Sequence, residues 1–360
     1  MPMRTILVGC GRIGTRHAAI LSDSPETEVA GFVDLDPSRA AVFASKHGGR
    51  VYADLASAAT AERPDLAVFC TPSGSHAQGV VAAAELRIPN IVVEKPMALL
   101  LSDADRMISV CDSMGSRLFV VQQNRYNLPI VKLREALEEG RFGKLVLGAV
   151  RVRWCRRQGY YDQAPWRGTW AMDGGVFSNQ ASHHVDMLVH MLGDVASVKA
   201  MSSNRLVKIE AEDTGLALLR FTSGALGVVE ATTAARPIDL EGSISILGEN
   251  GTVEVGGFAM NEMTLWKFAD DRPGDADVIE KYRTNPPDVY GFGHHEFYRQ
   301  LFSSVSEGHG STVDGLEGRR SLEVITAIYE SIESGREVRF PFEPAHSKLG
   351  RRSPRLVDRV

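Results

Sequence analysis

Hydrophobic positions in the first third of the chain come in short, unbroken runs rather than in alternation. Thr5-Ile6-Leu7-Val8, Glu28 to Val33, Leu66 to Cys70, Ile91-Val92-Val93 and Leu118 to Gln122 are such runs, and alanine-rich helical patterns separate them. Strands apolar on both sides need cover on both faces, so the pattern predicts a parallel sheet flanked by helices. Past residue 125 the texture changes. A helix is predicted at Pro129 to Glu139, and longer strands follow, beginning with Lys144 to Trp154. Asp213 to Phe221 and Ala225 to Thr233 flank Thr222-Ser223-Gly224, while Ser243 to Leu247 and Thr252 to Val255 flank Glu249-Asn250-Gly251. Both read as hairpins, which makes the second half a mostly antiparallel sheet with one face on helices and the other suited to cover by another subunit. Further helical patterns span Ser178 to Leu192 and Glu317 to Ser334. From His346 onward, Lys348, Arg351, Arg352, Arg355 and Arg359 suggest a surface arm or a disordered tail.

A length of 360 residues exceeds one typical domain, so two are expected: 1–124, 125–342, and a basic tail 343–360. Hydrophobic residues at 44% and charged residues at 24% exclude disorder. The net charge of -5 is spread along the chain and offers no basic footprint for nucleic acid. No segment reaches the roughly 18 apolar residues of a membrane span. Cys10, Cys70, Cys111 and Cys155 never form a C-x-x-C pair, which argues against zinc and disulfides and fits a reducing cytoplasm.

Chemistry concentrates in four places. Gly9-Cys10-Gly11-Arg12-Ile13-Gly14 follows the first strand and opens a helix, and Asp34 lies twenty residues beyond Gly14 at the end of the second. The glycines allow a tight turn, backbone approach to a pyrophosphate and close helix packing, and the acid accepts hydrogen bonds from ribose hydroxyls. This predicts a Rossmann, doubly wound α/β domain, with NAD favoured over NADP because Leu35 rather than a basic residue follows the acid. Glu94-Lys95-Pro96 ends a predicted strand on the ligand-binding edge, where Lys95 would hydrogen-bond a substrate hydroxyl. In Asn179-Gln180-Ala181-Ser182-His183-His184-Val185-Asp186, helical spacing puts Asn179, His183, Asp186 and His190 on one stripe. His183 reads as a general base oriented by Asp186, as a buried core histidine, or, without a recognised ligand set, as a metal ligand. Finally, Tyr160 to Trp170 gathers aromatic groups and Arg167 in an apparent loop suited to ligand contact or to packing on the sheet.

Taken together these motifs resemble the glucose-fructose oxidoreductase, inositol dehydrogenase and MocA-like family, over nearly the whole chain through about Phe342. Val121 to Arg125, Tyr160 to Trp170, Asn179 to Asp186, Leu240 to Gly248 and Val289 to His294 are most similar to its WlbA-type UDP-N-acetylglucosaminuronate dehydrogenases. The resemblance implies an α+β second domain with a large open sheet used for dimer or tetramer assembly. It also implies oxidation of a sugar hydroxyl, at carbon 3 of a UDP-sugar in surface-polysaccharide biosynthesis, with a free-sugar or inositol dehydrogenase and an NAD-dependent glycoside hydrolase as alternatives. By position it puts Gly9, Gly11, Arg12, Ile13, Gly14 and Asp34 on NAD. Thr71, Pro72, His76, Glu94, Gln123, Trp166 and Arg167 fall on the nicotinamide side, and Arg125, Tyr161, Asn179 and His183 toward the sugar. Lys95 and His183 are the implied catalytic pair. Asn179 departs from the aspartate of many members, so it would orient substrate without taking a proton.

Overall fold

The computed structural model describes residues 1–284, 291–308 and 312–352. Two compact units divide the chain: Met1–Gln122 with His294–Arg319, and Gln123–Gly293 with the chain from Arg320 on.

In the first unit, β1 (Met3–Val8), β2 (Thr27–Val33), β3 (Arg50–Tyr52), β4 (Leu66–Phe69), β5 (Asn90–Val93) and β6 (Arg117–Val120) form one parallel sheet in the order β3-β2-β1-β4-β5-β6. All residues of β4 and β5 are buried, the two-sided cover that unbroken apolar runs demand. Helices α1 (Arg12–Asp23), α2 (Pro37–His47), α3 (Leu55–Glu62), α4 (His76–Glu85) and α5 (Leu101–Met114) connect the strands. The strand order reverses between β1 and β4, and such a switch point opens a crevice at the carboxyl ends of the strands.

The second unit contains α6 (Leu128–Glu138), β7 (Leu145–Arg153), α7 (Gln158–Tyr161), α8 (Ser182–Leu192), β8 (Val195–Ser203), β9 (Thr214–Phe221), β10 (Leu226–Thr232), β11 (Glu241–Gly248), β12 (Gly251–Gly256), β13 (Glu262–Phe268) and α9 (Val278–Lys281). Helix α10 (Gly293–Ser306) runs on into the first unit, α11 (Gly315–Ser334) begins there, and β14 (Val338–Arg339) follows. The eight strands are ordered β13-β12-β11-β7-β10-β9-β8-β14, with β10 and β7 parallel and the other pairs antiparallel. Both expected hairpins form. Strand β9 alternates, with Gly215, Ala217, Leu219 and Phe221 buried and Leu216 and Leu218 exposed. On the buried face, Leu188 and Leu192 of α8 sit over Gly148, leaving no room for a side chain there. Val146, Met201, Leu216, Leu218 and Leu226 are exposed sheet residues.

The chain beyond Phe342 is not a free arm as far as Arg352. Glu330 accepts hydrogen bonds from the amides of Ala345, His346 and Ser347, and Leu349 is buried. Arg355 and Arg359, and Val289 and Tyr290 of the Val289 to His294 motif, lie outside the described residues. Among the described residues no helix is long and apolar enough to cross a membrane.

Candidate active site

In the first unit the predicted residues lie at the carboxyl ends of four adjacent strands: Gly9 to Gly14 after β1, Asp34 after β2, Thr71 and Pro72 after β4, and Glu94-Lys95 after β5. Gly9 has φ +100°, and a Cβ there would meet the Cys70 carbonyl at 2.7 Å, so only glycine fits. A Cβ on Gly14 would lie 2.2 Å from Gly9 O, whereas one on Gly11 would meet nothing within 4 Å. The turn is therefore closed beneath and open above, at the amino end of α1, the form of a pyrophosphate cradle. Asp34 is held in place, its Oδ2 accepting from Cys10 N at 2.7 Å and its Oδ1 from Asp36 N at 2.8 Å. Burial, then the Asp34 charge, pushes the Cys10 thiol up to about 12, so it is not a reactive thiolate. Thr71 Oγ1 is buried without a hydrogen-bond partner among the described residues, a polar atom left over for a ligand. These features fit a dinucleotide.

Around Lys95 the backbone is tied down from several sides. Glu94 Oε2 accepts from Lys95 N at 3.0 Å, and Glu94 Oε1 lies 2.8 Å from His17 Nε2 and 3.6 Å from His294 Nε2. His17 Nδ1 is 2.6 Å from the Tyr298 hydroxyl. Burial pushes the Glu94 carboxyl up, but its contacts with His17 and His294 outweigh that and hold it well below the usual carboxylate range. His294 is driven down to about 4 by burial. The donor atoms of His17, Glu94 and His294 lie within 4.8 Å of one another, a set that by type could hold a metal, although the 2.8 Å contact is already a good hydrogen bond. His76 lies 2.9 Å from both Thr71 O and Pro96 O, joining the turns after β4 and β5.

In the second unit, the helix expected from Ser178 starts only at Ser182, so Asn179 is not on the stripe of His183 and Asp186. The reason is local: Ala181 N reaches back to Val176 O, closing a turn, and the Asn179 side-chain amide donates to Asp173. Asp173 also accepts from Gly168 N at 2.7 Å, tying the aromatic cluster to this turn. Asp186, expected to orient His183, accepts two hydrogen bonds from Arg125, Nε at 2.8 Å and Nη2 at 2.7 Å. A planar guanidinium meets both carboxylate oxygens at once. His183 and His184 are both buried, and His184 stacks edge-on against Trp154. Tyr161 is 6% exposed with its hydroxyl 3.2 Å from Thr233 Oγ1, and Arg167 lies over the rings of Tyr160 and Trp166 at 4.2 and 4.9 Å. Gln123 is buried in a 3-10 turn, and its Oε1 has no hydrogen-bond partner among the described residues.

Sequence reasoning missed His17, His294 and Tyr298 in the first unit, and Asp173 and Arg125's pairing with Asp186 in the second. His17 left a signal as a polar residue on the buried stripe Gly14, His17, Ala18, Leu21 of α1, and His294 as the end of the Val289 to His294 motif, though neither signal assigns a role.

A switch-point crevice, a glycine turn at a helix start and an acid at the end of the second strand are the features of an NAD-binding domain. The chain belongs to the Gfo/Idh/MocA oxidoreductase family, whose NAD-binding Rossmann fold model matches residues 3–122 and whose C-terminal alpha/beta domain model matches residues 134–340. It is similar to the WlbA dehydrogenase from Bordetella pertussis, solved with NADH and UDP-GlcNAcA, at 41% identity and TM-score 0.91, covering 95% of this chain and 99% of that one. The WlbA dehydrogenase of Chromobacterium violaceum, solved with the same two ligands, is 38% identical with TM-score 0.89, covering 95% of this chain and 97% of that one. Myo-inositol 2-dehydrogenase of Thermotoga maritima is 27% identical over 352 residues, 94% of this chain and 98% of the relative.

Proposed function

We propose that this NAD-dependent dehydrogenase oxidises carbon 3 of a UDP-N-acetylglucosaminuronate-type sugar to a ketone, in surface-polysaccharide biosynthesis. The observation that carries the reading is 41% identity along nearly the full length to a dehydrogenase solved with NADH and UDP-GlcNAcA. In this reading Lys95 donates a hydrogen bond to the C3 oxygen and offsets its charge as the carbonyl forms. His183 removes the hydroxyl proton, and Asn179 and Arg125 orient the sugar with Tyr161. Bound NAD supplies the hydride acceptor. Asp34 holds the adenosine ribose and, by charge, turns away a 2′-phosphate. Thr71, Pro72, His76, Glu94, Gln123, Trp166 and Arg167 line the nicotinamide side.

The test is NADH formation from a panel containing UDP-N-acetylglucosaminuronate, UDP-sugars lacking the carboxylate, and free polyols. The expected result is a kcat/KM for the uronate at least about a hundredfold above that for free polyols, since a site built around polar substrate groups discriminates on that scale. Activity confined to polyols would replace this reading with a free-sugar or inositol dehydrogenase, which the 27% identity to inositol dehydrogenase favours as the second reading. We place the enzyme in the cytoplasm, where its four free cysteines would stay reduced. We further assign the sheet face bearing Leu216, Leu218 and Leu226 to a homodimer or homotetramer contact, measurable as particle mass in solution.

A further inference from the structure

One buried carboxyl in the second unit has no role in the reaction just described, yet it is bonded to the turn before Asn179 and to Tyr329, which holds the same turn. Glu212 lies just ahead of β9 and is 5% exposed. Its Oε1 accepts from the Tyr329 hydroxyl at 2.8 Å and from Phe177 N at 3.1 Å. The Tyr329 oxygen in turn accepts from Gly175 N at 3.1 Å and Ser178 N at 3.2 Å. Val176 N donates to the main-chain carbonyl of Glu212 at 3.0 Å. Four consecutive amides, 175 to 178, therefore end on two residues from other elements. A Cβ on Gly175 would lie 2.2 Å from the carboxyl carbon, so this approach is open to glycine alone. Glu212 Oε2 is buried and without a hydrogen-bond partner among the described residues.

We propose that Glu212 and Tyr329 are positioning residues that grip amides 175 to 178 and thereby fix the turn that carries Asn179 and leads into His183. This rests on the roles proposed above for those two residues. The start of α8 has no side-chain cap of its own, so its placement depends on what holds the preceding turn. Tyr329 cannot swing aside, because its ring packs edge-on against Trp170 and Phe177 at 5.3 and 6.2 Å. Its hydroxyl keeps its proton, since burial and the neighbouring Glu212 push it well above the usual phenol range. Burial pushes the Glu212 carboxyl up to about 7, against hydrogen bonds from Phe177 N and Tyr329. Tyr329 on α11 donates to it, and the charge of Asp213, its neighbour in the chain, raises it further. Near neutral pH the grip thus passes between a neutral form and one holding a buried charge with an unsatisfied oxygen, and turnover follows through His183.

The experiment compares the full-length protein with its Tyr329→Phe and Glu212→Gln variants by amide hydrogen exchange, NADH binding, and kcat and KM across pH. Tyr329→Phe keeps the ring packing and removes the hydroxyl. Exchange at 175–178 is expected to rise at least about tenfold, with kcat down about tenfold to a hundredfold, as for a small misplacement of a reacting group. NADH affinity is expected to stay within about twofold, since the cradle is untouched. Glu212→Gln keeps the shape and the acceptor oxygen but cannot ionise. It is expected to fold and to shift or flatten the step that the wild-type kcat profile shows near pH 7. Unchanged exchange and kcat in Tyr329→Phe would overturn the proposal, as would a Glu212→Gln profile identical to that of the wild type. Should Tyr329→Phe fail to fold, the Glu212→Gln profile decides. A wild-type enzyme inactive on every sugar offered would overturn the proposed function instead, leaving the exchange comparison to judge the grip.

Discussion

Asp186→Asn is the substitution whose consequence follows most directly from geometry. The Arg125 side chain is 10% exposed and that of Asp186 0%, and two hydrogen bonds of 2.8 and 2.7 Å join them. Replacing the acid leaves the guanidinium desolvated without its counter-charge, and breaking one side of a buried pair costs about 3–5 kcal/mol. At about 2–4 °C per kcal/mol for a domain of this size class, the second unit should melt about 10 °C lower. Differential scanning calorimetry of the full chain measures this. The paired replacement Arg125→Met with Asp186→Leu should recover most of the loss, because removing both charges removes the desolvation problem with them. The pH dependence of kcat adds a second readout. If Asp186 serves Arg125, both single variants move the profile alike. A melting point for Asp186→Asn within about 2 °C of the parent, or a profile moved by Asp186→Asn alone, would refute the reasoning and return Asp186 to His183.

Asp34→Ser removes the charge at the end of β2, and the KM for NAD should rise about tenfold while reduction of NADP becomes measurable, both read from absorbance of the reduced cofactor. For Glu212, a folded-state value of about 7 against an ordinary 4.5 means that the fold binds this proton more tightly than the unfolded chain does. That stabilisation is complete below pH 4.5 and is lost as pH rises to about 7, amounting to about 3 kcal/mol, so denaturant midpoints should fall between about pH 4.5 and 7 more steeply in the wild type than in Glu212→Gln. Glu94→Gln leaves one acceptor oxygen where His17 and Lys95 N now share two, at a cost of about 1–3 kcal/mol in denaturant unfolding, with a lower kcat wherever the amide oxygen goes to His17 and Lys95 N loses its acceptor.

The parts legible in the sequence are those whose physics is local. Leu66 to Phe69 and Asn90 to Val93 announce two-sided burial by composition alone, and Gly9, Gly14 and Asp34 declare a cradle through spacing within a single βαβ unit. Turn residues such as Thr222-Ser223-Gly224 mark their hairpin for the same reason. Long-range pairings leave no such trace. His17 meets Tyr298 across 281 residues, Arg125 meets Asp186 across 61, and Tyr329 meets Glu212 across 117. Asn179 shows how a local rule can mislead: its spacing fits a helix, but Asp173, Glu212 and Tyr329 hold the preceding backbone in a turn. The short, exposed β3 and the tail held by Glu330 were equally hidden, since neither carries an apolar period.

Everything proposed about the reaction depends on Lys95 and His183 acting on one hydroxyl, and single-turnover NADH formation by Lys95→Met, His183→Asn and the double variant tests this most directly. The account predicts losses of at least about a hundredfold in each single variant, with the double variant little worse than the poorer single and NADH binding intact, because groups that act as a unit fail together. Rates near wild type in either folded single variant would contradict it.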